Sequence, residues 1–219
     1  MFIHNPPPSV VEIDTVTVNG KRYYATPEGN RYPSITTVLS ILSKESIQAW
    51  RKRVGYEEAN RISTQAARRG TKIHSMCEDY LNNELDLNKY LPSDKQTFMS
   101  LKPVLDKNIS NIHAQEIALW SDYLKVAGRC DCIAEWGGKL SVIDFKTSRK
   151  LKQKEHISSY FQQTSAYAVM YEERTGIPIS QIVVLIAVDD EDPQIFVEKR
   201  DDHIWDCVDT IARYYEETQ

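Results

Sequence analysis

Gly137 and Gly138 constrain this chain more than any other pair of its residues. They separate two runs that alternate in the manner of strands, Val126 to Trp136 and Lys139 to Lys146. Two glycines between such runs suit a two-residue hairpin, whose turn needs positive φ. Taken literally, the turn sets Trp136 against Lys139, and stepping back along both strands brings Asp131 opposite Asp144. The two carboxylates would then share one face with Cβ atoms about 4.5–5.5 Å apart. Lys146 lies two residues beyond Asp144 and projects from that same face. The pairing assumes a regular hairpin, since a bulge would move it by one residue.

Two facing carboxylates repel, and a fold gains nothing by placing them together. A divalent cation removes the conflict. Mg²⁺ takes oxygen ligands, usually one or two carboxylates together with water and phosphate oxygens. An ammonium beside such a cation can orient a water and stabilise charge on an attacked phosphate. The plainer alternative stays open here: Asp131 and Asp144 as polar residues on a wet sheet face, with Lys146 as their ion-pair partner.

The rest of the chain supports an α/β domain, with a central mixed sheet flanked by helices on both sides. Val10 to Val18 alternates, Asn19-Gly20 suits a tight turn, and Lys21 to Ala25 can return as the partner strand. Ser34 is placed to cap a helix over Ile35 to Leu42, and Pro27 to Asn30 forms a further turn. Helices are expected near Ser46 to Val54, Tyr56 to Tyr80 (with a break near Gly70), and Asp94 to Asn108. Strands follow at Glu116 to Trp120 and along the hairpin. A helix from His156 to Thr175 should stop at Gly176 and Pro178. Ile182 to Val188 is a continuous apolar run that suits a strand buried on both faces. A short strand at Ile195 to Glu198 and a helix from Asp202 to Glu217 end the chain.

With 219 residues the chain is long enough for one domain with a proper core. The expected division is a hairpin and helical addition over 1–63 and a core over 64–219. No stretch has the length of an apolar membrane span, and the first residues resemble neither a secretory signal nor a transit peptide. A cytoplasmic protein that does not engage membranes is expected. Cys77, Cys130, Cys132 and Cys207 form no metal-binding or disulfide pattern and read as reduced core residues, Cys130 and Cys132 on one strand face. The net charge of -4 excludes a uniformly basic protein, so the placement of cations matters more than their number. One cluster runs from Lys44 to Lys72 and a second from Lys146 to Lys154. No phosphate-cradling Gly-Lys-Ser/Thr loop occurs, so neither a nucleotide cofactor nor an intrinsic motor is expected.

Asp131 with Asp144-Phe145-Lys146 resembles the core motif of the PD-(D/E)XK nuclease superfamily. Arg69-Gly70-Thr71-Lys72-Ile73-His74 is similar to the Arg-Gly-Thr-x-x-His motif of its RecB-like and lambda-exonuclease-like branches. Gln163 and Tyr167 match their Gln-x-x-x-Tyr motif. Tyr32 to Leu39, with Trp50 after it, resembles the mitochondrial genome-maintenance exonucleases and their phage relatives. The likeness covers roughly Tyr32 to Val188, and the order of the motifs is more specific than any one of them. It departs from the usual pattern in lacking Pro before either aspartate.

This resemblance implies a restriction-endonuclease-like core and a metal-dependent DNA exonuclease acting in replication, recombination or repair, with Mg²⁺ or Mn²⁺ as cofactor. It implies that His74, Asp131, Asp144 and the Phe145 carbonyl hold the metal, with Glu116 beside them. Lys146 would be the catalytic lysine. Gln163, Tyr167, Arg69 and Thr147 would position lysine or substrate. Trp50, Arg51, Arg53 and Arg61 mix rings with cations, as single-stranded DNA binding requires. A helical arch there would favour free single-stranded ends. A helicase, polymerase or single-strand-binding protein is the partner such an enzyme would work beside. His74 can also be read as a satisfied buried histidine, and Tyr160 and Tyr171 read best as core aromatics. A restriction-type endonuclease and an inactive DNA-binding module remain alternatives. An iron–sulfur nuclease does not fit the cysteines.

Overall fold

The computed structural model describes residues 1–7 and 11–218. Val10, the expected start of the first strand, lies outside them. Asn19 and Gly20 take φ of 50° and 74° and turn β1 (Thr15–Val18) back onto β2 (Lys21–Ala25). β3 (Arg31–Pro33) completes a small antiparallel sheet. Helix α1 (Ile35–Leu39) is shorter than its apolar run, because the chain tightens into a 3-10 turn over Ser40–Ser43. Ser34 stands at its N-cap, yet the hydroxyl pairs with Thr36 Oγ1 at 2.7 Å rather than with a backbone N–H.

α2 (Lys44–Val54) buries no residue fully and is divided from α3 (Tyr56–Leu81) by Gly55 at φ 90°. α3 runs unbroken through Gly70, where an added Cβ would meet only Thr147 Oγ1 at 3.8 Å. The division expected between residues 63 and 64 therefore falls inside one helix. α4 (Pro92–Asn108) starts on Pro92, at a position where the missing N–H costs nothing. Its internal Pro103 leaves the Met99 carbonyl without a helical donor, and Met99 is half exposed, so water can serve it.

The central sheet comprises β4 (Ile109–Ser121), β5 (Val126–Trp136), β6 (Lys139–Ser148), β7 (Gln181–Val188) and β8 (Gln194–Lys199), in that spatial order. Neighbours are antiparallel except β6 and β7, which are parallel and joined through α5 (Ser158–Thr175). Gly176 ends α5 at φ 72°, its N–H bonded to the Glu172 carbonyl at 2.7 Å. β7 is buried along both faces after Gln181, as its apolar run requires. β4 begins well before Glu116. Register shifts between Ser110 and Ala114 hide its early part from a simple alternation.

Two cores sandwich the sheet. α1, α5 and α6 (Ile204–Thr218) cover Cys130, Val142 and Val184 on one side. α3 and α4 cover Cys132, Ile143, Phe145 and Leu185 on the other. Cys130 and Cys132 thus fall in opposite cores, against the expectation of a shared face, because β5 changes phase at Asp131. All four cysteines are buried and free. The small sheet packs through Tyr24 against Ala118, Trp120 and Ala127. Among the described residues no helix is long and apolar enough to cross a membrane.

Candidate active site

The β5–β6 ladder follows the register set by the glycines, from Trp136–Lys139 to Cys132–Ile143, and stops there. The direct pair of Asp131 and Asp144 expected from the hairpin does not form. Beyond Cys132, β5 stays with β4 while β6 stays with β7. In the gap between them, Asp131 Oδ2 accepts the Phe145 N–H at 2.8 Å. A carboxylate occupies the place that a strand carbonyl would otherwise take. The phase change in β5 is the physical reason, and it separates the two aspartates: Asp131 meets α3, and Asp144 meets α5.

Glu116 stands across the β4–β5 ladder from Asp131, between the pairs Gln115–Cys132 and Ile117–Cys130. Its φ of 47° is costly for a residue with a side chain, and such strain persists only where surroundings enforce it. Here the Arg129 guanidinium donates to the Glu116 carbonyl and also pairs with Glu12. His74 reaches the same place from α3, its Nδ1 at 3.5 Å from Asp131 Oδ2 and its ring edge-on to Phe145. One ligand atom each from His74, Glu116 and Asp131 lie within 4.8 Å of one another. Burial, then repulsion from Asp131 and Glu78, pushes the Glu116 carboxyl up to about 7. An imidazole and two crowded carboxylates fit a hard divalent cation, which would remove that repulsion.

The second half of the site lies on the α5 side. Asp144 is 1% exposed, and its two oxygens sit 2.7 and 2.6 Å from Lys146 Nζ. Burial pushes the Asp144 carboxyl up to about 6 even against the pull of that ammonium. Burial likewise opposes the charge on Lys146, but Asp144 and Asp131 outweigh it, and the lysine is held protonated. Gln163 Nε2 donates to Asp144 Oδ1 at 3.1 Å and approaches the Tyr167 hydroxyl at 3.4 Å. Tyr167, expected to position lysine or substrate, is 2% exposed and stands behind Gln163. Tyr160, expected in the core, is half-buried with its ring 5.3 Å from Lys146 Nζ.

Other expected residues lie further out. Arg69 is committed to Asp189 at 2.6 Å and to the Ser148 carbonyl at 3.0 Å. Thr147 is half-buried beside Gly70 and lines an adjoining groove. Arg51 donates to Asn60 and stacks over Tyr56, and Arg61 pairs with Glu58. Trp50 is half-buried and Arg53 exposed. Gly128 and Arg129 were not singled out by sequence. Only a tertiary contact reveals them: a Cβ on Gly128 would come within 2.7 Å of Tyr167.

Residues 48–205 match the sequence model of the PD-(D/E)XK nuclease superfamily. Mitochondrial genome maintenance exonuclease 1 of Homo sapiens is 27% identical over 178 residues, which cover 75% of this chain and 51% of the human protein. The Mus musculus protein of the same name is 30% identical over 132 residues, 56% of this chain and 39% of its own length. The chain therefore spans about half the length of the human relative. A crystal structure from Eubacterium rectale, described as a candidate exonuclease, aligns with a TM-score of 0.46 at 12% identity, covering 67% of this chain and 63% of that one.

Proposed function

Because the chain belongs to the PD-(D/E)XK nuclease superfamily, we propose that it hydrolyses the phosphodiester backbone of DNA from single-stranded ends, with Mg²⁺ or Mn²⁺ as cofactor. The observation that carries this reading is the opening of the sheet at Asp131. There His74 and Glu116 converge on one aspartate, while Lys146 is presented on the other. His74, Glu116 and Asp131 would hold the cation, with Asp144 and the Phe145 carbonyl beside it. When bound, it would supply the Lewis acid that takes up charge on phosphoryl oxygens and acidifies water.

The chain's own groups perform the rest. Lys146 keeps its proton and offers a fixed positive charge where the phosphate gains negative charge in the transition state. Asp144 and Gln163 fix the direction of that ammonium, and Tyr167 backs Gln163. Phe145 ties Asp131 in place through its N–H. The names of the curated relatives support an exonuclease. α2 and the first half of α3 bury few of their own side chains, and Trp50, Arg51, Arg53 and Arg61 on this arm suit a strand of phosphates and bases.

The test is digestion of an end-labelled single strand with Mg²⁺ or Mn²⁺, by the native protein and by Asp144→Ala. Metal-dependent shortening by the native protein and a loss of roughly 10²–10³-fold in the variant, with folding intact, is expected. A native protein that releases no nucleotides with either metal would defeat the reading. Circular single strands should resist, and equal digestion of circles and linear strands would make the activity endonucleolytic.

A further inference from the structure

A groove of about 1270 Å³ opens beside Thr147, between α3, α4 and the turn that joins β7 to β8. Its charges are distributed unevenly. Arg69 pairs with Asp189 and Lys72 with Asp94, so these four largely cancel. Arg68 and Arg149 remain on the α3 side, both exposed, with Arg149 just past Thr147 in the chain and touching Gln65 at 3.3 Å. Asp190, Glu191 and Asp192 remain on the turn, all exposed, and among the described residues none of the three forms an ion pair. A groove meant simply to attract phosphates would not carry three free carboxylates on one rim.

We propose that this acidic turn makes the site selective for single strands by repelling the second backbone of a duplex. The inference rests on the nuclease reading and adds what sets its substrate. A single strand has one line of phosphates, which can follow Arg68 and Arg149 and turn its bases toward the rim. A duplex carries about one negative charge per 1.7 Å of axis over both strands, and cannot hide its second line. Bringing that line against Asp190, Glu191 and Asp192 sets like charges together, which costs affinity for the wrong partner only. The rim acts over a Debye length of about 10 Å at 0.1 M salt, so its effect must fade as salt rises.

The experiment neutralises the rim with Asp190→Asn, Glu191→Gln and Asp192→Asn together. These side chains are exposed, and asparagine accepts the φ of 57° at position 190 as readily as aspartate does. Binding of a labelled single strand and of the same strand annealed to its complement is measured by fluorescence anisotropy in chelator, at low and high salt. Digestion of both is measured with Mn²⁺. The variant should narrow the single-to-double preference by about tenfold at low salt, much less at high salt, with single-strand digestion unchanged. Glu191→Asp with Asp192→Glu, which keeps all three charges and leaves the left-handed position 190 untouched, should keep the native ratio. An unaltered ratio at low salt, with single strands still digested, overturns the rim. A native protein that digests no strand at all removes the nuclease reading and the rim with it.

Discussion

Gly128 has no room for a side chain. A Cβ there would meet Tyr167 at 2.7 and 2.9 Å and Ile35 at 3.1 Å, all inside the core. Gly128→Ala should cost about 1–3 kcal/mol by overpacking, read in denaturant melts. It should also slow catalysis, because the displaced ring is the one that backs Gln163 on Asp144. A variant of unchanged stability would mean that Tyr167 does not pack as described. The carboxyl groups make a second prediction. Folded Glu116 and Asp144 sit at about 7 and about 6, above their ordinary values of 4.5 and 3.8. The folded state therefore holds more protons than the unfolded one between those limits. What these two groups contribute is present in full below about pH 4 and lost as pH rises through 6 and 7. A cation needs them ionised, so its effect has the opposite sign. The rise in melting temperature on adding Mn²⁺, relative to chelator, should grow from pH 5.5 to 7.5, and a rise that shrinks over that range would contradict the assignment.

Elements were legible where local chemistry decides them. Gly137 and Gly138 set the hairpin register, and Gly176 and the apolar run after Gln181 marked the end of α5 and a buried strand. The departure at Asp131 was not legible, because it depends on the phase of β5 relative to two separate cores and on Glu116 in a left-handed conformation. Alternation along one strand encodes neither. Tyr160 packs against the core, as an aromatic on α5 is expected to, but only the fold reveals that its ring also stands beside Lys146. Gly70 belongs to this scale too. Sequence suggested a break, yet α3 is continuous, and the glycine merely leaves space beside Thr147. Gly70→Ala should therefore stabilise the protein by about 0.5–1 kcal/mol, since alanine holds a helix better and its Cβ makes only an ordinary contact. A thermal melt decides it, and destabilisation would show that α3 and β6 lie closer than 3.8 Å allows.

At the scale of the whole molecule, the five-stranded sheet parts between β5 and β6 beyond the Cys132–Ile143 pair. One amide in that opening, the N–H of Phe145, is bonded to a titratable side chain and not to another backbone group. Its proton therefore senses whatever Asp131 is doing. As Mg²⁺ is titrated in, the Phe145 amide resonance should move in step with site occupancy while that of Val142, inside the regular ladder, stays still. The protein would thus carry its own built-in gauge of metal loading, readable by NMR without any substrate.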